Sequence, residues 1–131
     1  MKTYVKPLAL LLALALCLSG CAGGYASHNK SVMCVRSNTD THADLRFAEF
    51  TGTEVFKLKL RVNEGGIRYT ARLETGEATV YYDYMGKKTV LFTVRGGESV
   101  DSTGGYIEKG TVYVIVETNG TCKNGAFDFG I

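Results

Sequence analysis

Two carboxylates and an imidazole fall within five residues at Asp40-Thr41-His42-Ala43-Asp44. Such a set can hold a cation or act as an acid–base pair, because imidazole and carboxylate are both metal ligands and differ in proton affinity. The same composition also makes an ordinary polar loop between strands, with Asp and Thr side chains bonding to nearby backbone. No other catalytic signature accompanies it. The chain has no Gly-x-Ser-x-Gly elbow, no His-Glu-x-x-His pair and no phosphate-binding Gly-x-x-x-x-Gly-Lys loop. A Ser/His/Asp triad would have to use His28 or His42, and neither position has independent support. The expected protein is non-enzymatic and without a cofactor or metal; a small hydrolase built on Asp40, His42 and Asp44 is the competing reading.

Two further groups of residues are candidates for binding. In residues 54–62, Phe56, Leu58, Leu60 and Val62 alternate with Lys57, Lys59 and Arg61. After Asn63-Glu64-Gly65-Gly66, a run with turn chemistry, Ile67, Tyr69, Ala71 and Leu73 alternate with Arg68, Thr70 and Arg72. Alternation of this kind marks half-buried strands, and the turn predicts that the two pair as a hairpin. Lys57, Lys59, Arg61, Arg68 and Arg72 would then share one exposed face, suited to an acidic polymer, an anionic lipid surface or an acidic protein, or simply to solvation. The second group is Tyr81-Tyr82-Asp83-Tyr84, in which at least one tyrosine must point outward. Tyrosines beside carboxylates can stack on sugar rings and hydrogen-bond their hydroxyls, although tyrosine is also a common half-buried strand residue.

The elements that would position these residues are strands throughout. Further period-two segments occur at residues 32–36, 45–50, 78–84, 89–95, 111–117 and 126–131, with a short strand around Tyr106-Ile107. Thr75-Gly76, Met85-Gly86, Gly96-Gly97 and Asn119-Gly120 punctuate them as turns. No window carries helical spacing. About eight short strands predict an antiparallel β-sandwich of immunoglobulin-like or jelly-roll-like architecture, with a small β-barrel as the alternative. The absence of tryptophan limits the immunoglobulin comparison to architecture.

The N-terminus has a separate function. Lys2 and Lys6 precede an apolar run over residues 8–18 that is closed by Leu18-Ser19-Gly20-Cys21. The run is shorter than the ~20 residues that span a bilayer but has the length of an export-signal core. The segment resembles the lipobox of bacterial lipoproteins. That resemblance implies cleavage before Cys21, a diacylglycerol on its sulfur and an acyl chain such as palmitate on the new amino group. The protein would then be anchored to the cell membrane or outer membrane and face away from the cytoplasm. On this reading residues 1–20 are signal, 21–30 a flexible tether and 31–131 one domain.

Removing the signal discards Cys17 and gives Cys21 to lipid, leaving Cys34 and Cys122. Thiols oxidise outside the cytoplasm, so these two are expected to form a disulfide. The 15 basic and 13 acidic residues of the whole chain differ only by Lys2 and Lys6, so the mature protein is neutral and no nucleic-acid partner is expected. Its expected partners are the bilayer, through the Cys21 lipid, and an envelope protein or glycan.

Overall fold

The computed structural model describes residues 26–61 and 65–131. The lipobox, Cys21 with the first half of the tether, and Val62 with Asn63 and Glu64 of the expected hairpin lie outside the described residues. Seven strands are present: β1 (His28–Val32), β2 (Val35–Asn38), β3 (His42–Leu60), β4 (Gly65–Tyr84), β5 (Lys87–Arg95), β6 (Ser99–Ile107) and β7 (Gly110–Gly130). Among the described residues no helix is long and apolar enough to cross a membrane. β1 takes up His28, Asn29 and Lys30, the last residues of the stretch read as tether. All pairings are antiparallel, in the order β1-β3-β7-β4-β5, with β2 also on β3 and β6 also on β4.

Three strands are long, and the reason is a crease that crosses all of them. On β3, Thr51 and Gly52 face four residues of β7, numbers 118–121, and the register shifts there. On β4 the register with β7 shifts between Thr75 and Glu77, at Gly76. Gly52, Gly76 and Gly120 have φ of 126°, 105° and 76°, a region that L side chains rarely adopt. The buried side changes phase across the crease, from Ala43, Leu45 and Phe47 to Phe56, Leu58 and Leu60 on β3. A strand with such a bulge bends sharply. The segments that read as pairs of short strands in the sequence are therefore the halves of single bent strands, and Thr75-Gly76 and Asn119-Gly120 are bulges, not turns.

The crease folds one sheet into two packed layers. Phe56 pairs with Val114, and a straight β7 would place Phe129 roughly 50 Å from there at ~3.3 Å per residue. The rings of Phe56 and Phe129 instead lie 6.1 Å apart, and Phe92 lies 6.3 Å from Phe129 and 4.3 Å from Tyr69. The first layer contains β2, β6 and residues 42–50, 65–73 and 122–130; the second contains β5 and residues 53–60, 77–84 and 110–117. Fully buried Leu45, Phe50, Leu58, Val80, Val94, Ile107 and Phe127 fill the space between. The expected two-layered antiparallel architecture is present. The barrel alternative is not, because the sheet runs from β1 to β5 without closing.

Two expectations about neighbours fail. β3 and β4 do not pair as a hairpin, because β7 lies between them. Leu60 ends in one layer and Gly65 starts in the other; a Cβ on Gly65 would sit 3.3 Å from the Leu60 side chain. The disulfide is likewise absent: Cys34 and Cys122 are free thiols. Cys34 follows β1 on one side of β3, while Cys122 pairs with Phe50 from the other side. Two strand spacings, about 9.5 Å, separate the backbones, beyond the ~7 Å that a disulfide bridges. Cys122 is fully buried beside the crease, where its thiol meets the Glu77 carbonyl at 3.4 Å.

The free edge of β3 in the second layer is covered by side chains in place of a strand. The Asn38 side chain accepts from Lys57 N and donates to Lys57 O, both at 2.9 Å. Arg36 donates to Val55 O, Ser27 Oγ accepts from Val55 N, and Asp40 O accepts from Lys59 N. Buried Glu54 gathers the same segment, accepting from Arg36 at 2.7 Å, Ser27 at 3.0 Å and Asn29 at 2.8 Å. Covering an edge in this way leaves no row of bare backbone groups for another strand to pair with.

Candidate functional site

The outward face of the first layer is organised by the middle strand, β7. Its outward residues there are Asn124, Ala126, Asp128 and Gly130, all short. The flanking strands present His42, Asp44 and Arg46 from β3, and Arg68, Thr70 and Arg72 from β4, so that Ala126 lies between two arginines and Gly130 between His42 and Arg68. Register aligns them in rows. Arg46, Ala126, Arg72 and Ser99 form one row; Asp44, Asp128, Thr70 and Asp101 the next; His42, Gly130, Arg68 and Thr103 the third. Short residues between long ones leave a trough.

Three adjoining depressions, of about 490, 450 and 440 Å³, follow that trough along β7. The first two share Arg46, Arg72, Ser99 and Ala126, and the last two share Thr70, Asp101 and Asp128. Phe47 and Tyr69, at the two ends, turn their rings inward, Phe47 into the core and Tyr69 onto Phe92. Gly125, on the inward side of β7, leaves room for the Phe47 ring, which a Cβ there would strike. Arg46, Arg68 and Arg72 stand against Asp44, Asp101 and Asp128, with Glu74 and Glu98 at the first end, so the face offers many charged hydrogen-bonding groups of both signs and no excess of positive charge. The direct opposition of Asp44 and Asp128 on adjacent strands costs stability, as like charges in register do.

The residues singled out in the sequence are distributed over both layers. Lys57, Lys59 and Arg61 are exposed, as expected, and Leu58 opposite them is fully buried. Arg68 and Arg72 are exposed too, but on the other layer, so the structure does not bring the five cations onto one face. Tyr81 points outward in the second layer, with Lys88 Nζ 4.3 Å from its ring centroid. Tyr82 and Tyr84 pack against the core. Residues 40–44 also separate. Asp40 pairs with Arg61 at 3.1 Å, whereas His42 Nε2 lies 2.9 Å from Asp128 Oδ2, and Asp44 sits opposite Asp128. The acid–base constellation of Asp40, His42 and Asp44 is therefore not assembled.

Arg46, Asp101 and Asp128 were missed from sequence. Alternation with Phe127 and Phe129 already places Asp128 outward, but its neighbours depend on the register of β7 against two strands distant in sequence. At Cys122 burial pushes the thiol's proton affinity upward, the hydrogen bond to the Glu77 backbone opposes that and the Glu77 carboxylate adds to it.

The sequence matches no protein-family model and no curated protein. Among solved structures, it is similar to the pre-peptidase C-terminal domain of a collagenase from Bacillus anthracis, with 12% identity, a TM-score of 0.44, and 80% of this chain and 86% of that chain covered. A family 29 carbohydrate-binding module complexed with mannohexaose gives 14% identity, a TM-score of 0.41, and coverage of 82% and 78%. A cupin superfamily protein from Desulfitobacterium hafniense gives 11% identity, a TM-score of 0.33, and coverage of 84% and 81%. Nothing about ligand or activity passes to this chain from similarities of this size.

Proposed function

We propose that this chain is a lipid-anchored, extracytoplasmic module that binds an extended glycan of the cell envelope along the trough of the first layer and catalyses no reaction on it. The observation that carries the reading is the trough itself, with Ala126 in its floor between Arg46 and Arg72, and Gly130 between His42 and Arg68. Guanidinium and carboxylate groups make paired hydrogen bonds, which suits adjacent hydroxyls on a sugar ring. A face with no excess of positive charge does not favour a polyanion over a neutral polymer.

The anchor follows from the lipobox resemblance. Cys21 precedes the first residue of β1 by seven positions, so a lipid there would hold the domain within about 25 Å of the membrane surface. That distance places the trough among envelope polymers. Affinity electrophoresis of the full chain through gels containing soluble envelope polysaccharides tests the binding. Wild-type protein is retarded, and Ala126→Phe, which fills the floor without touching the core, is not. Equal migration of the two in every gel, or equal retardation, overturns the proposal.

A further inference from the structure

One end of the trough holds three side chains of metal-ligating type. His42, Asp44 and Asp128 each offer one donor atom, and the three atoms lie within 4.8 Å of one another. They come from two adjacent strands: His42 and Asp44 are two residues apart on one face of β3, and Asp128 faces Asp44 from β7. We infer that His42, Asp44 and Asp128 form a binding site for a divalent cation of the zinc type, opening into the trough.

The donor set argues for that class of ion. An imidazole nitrogen with two carboxylates suits zinc and similar transition metals, whereas calcium and magnesium prefer oxygen ligands alone. Neutral imidazole and two carboxylates also balance a dication, relieving the opposition of Asp44 and Asp128 that the folded chain otherwise bears. Metal–ligand bonds of about 2.0–2.2 Å set donor atoms roughly 3.3 Å apart, so the present separations need only side-chain rotation. His42 is already placed from its backbone. Its N–H donates to Thr39 Oγ1 at 3.1 Å, and its carbonyl accepts from Thr39 N at 2.7 Å.

Three protein ligands leave a fourth position, and it faces the trough beside Arg68 and Asp101. On the glycan reading proposed above, that position takes a sugar hydroxyl or carboxylate oxygen. The cation site itself does not depend on that reading, because it can be measured without a glycan.

Equilibrium dialysis of the full chain against zinc chloride, with accessible thiols alkylated beforehand so that Cys34 cannot compete, tests the site. Wild type retains one zinc per chain and melts at higher temperature with zinc than without. His42→Ala and Asp128→Asn each lose at least tenfold in affinity and the thermal gain. Asp40→Asn, in the same stretch but paired with Arg61, retains both, and Ala126→Phe loses glycan retardation while still binding zinc. Circular dichroism of the His42→Ala protein, matching wild type, confirms that the lost binding is not lost folding. Zinc retention by His42→Ala equal to wild type, or no retention by wild type, overturns the site while leaving the glycan assay to stand or fall separately.

Discussion

Replacing Gly76 by alanine probes the crease on which the two-layered fold depends. Gly76 has φ of 105°, and a Cβ there would lie 2.8 Å from Cys122 Sγ, 2.9 Å from Cys122 Cα and 2.9 Å from the Thr121 carbonyl oxygen. Two of those three atoms are backbone and cannot swing aside. The unfavourable backbone conformation costs about 1–3 kcal/mol, and forcing atoms into a packed site costs about 1–3 kcal/mol more. Gly120 supplies the control. It lies opposite on the same crease with φ of 76°, but nothing stands within 4 Å of its Cβ position, so Gly120→Ala carries only a conformational cost of about 1–2 kcal/mol. For a domain of this size 1 kcal/mol shifts the melting temperature by about 4 °C, so Gly76→Ala should melt roughly 8–24 °C below wild type and Gly120→Ala roughly 4–8 °C below. Thermal unfolding followed by circular dichroism reads both. If the two variants melt within about 2 °C of each other, β7 does not pass Gly76 as closely as the crease requires.

Other consequences are simpler to measure. Leu58→Ala should cost about 2–5 kcal/mol in chemical denaturation, because Leu58 is fully buried, while joint replacement of Lys57, Lys59 and Arg61 by Gln should change stability by less than about 1 kcal/mol. A large loss in the triple variant would mean that the assigned outward side is wrong. Iodoacetamide applied to the native protein should label Cys34 and spare Cys122, whose thiol is both buried and raised in proton affinity; mass spectrometry finding a Cys34–Cys122 bond in the native protein would contradict the strand order. The Cys122 contribution also has a sign. The folded state favours the protonated thiol, so stability is full below the ordinary thiol range near pH 8.5 and declines as pH rises through it. Cys21→Ser should move the protein from the membrane fraction to the soluble one without changing its circular dichroism, and membrane retention equal to wild type would refute the anchor.

What the sequence made legible was the direction of each side chain. Alternation alone placed Phe56, Leu58 and Leu60 inward and Lys57 and Lys59 outward, and the two-residue Met85-Gly86 connection, with φ of 56° and 81°, is the tight turn expected between β4 and β5. What it hid was the bending. Gly76 and Gly120 carry the same local signal in a bulge as in a turn, since both require positive φ, and only the continued pairing of β7 beyond them distinguishes the two. The insertion of β7 between β3 and β4 was equally hidden, because a short connection with turn residues normally joins neighbours. That one insertion removed Arg68 and Arg72 from the side of Lys57 and Lys59, put β3 between the two cysteines, and created the trough by seating short residues between long ones. Asp128 and Arg46 could be read as outward, but nothing local to either says that they share a face.

The most direct test of the glycan trough is a nuclear magnetic resonance titration of the isotopically labelled full chain with an oligosaccharide from the envelope polymer that retards it most. Binding in the trough predicts chemical-shift changes concentrated at Arg46, Thr70, Arg72, Ala126 and Asp128, with Tyr81, Val90 and Tyr113 on the opposite layer unmoved. Shifts concentrated at Tyr81, Val90 and Tyr113, with the trough residues silent, would contradict the account.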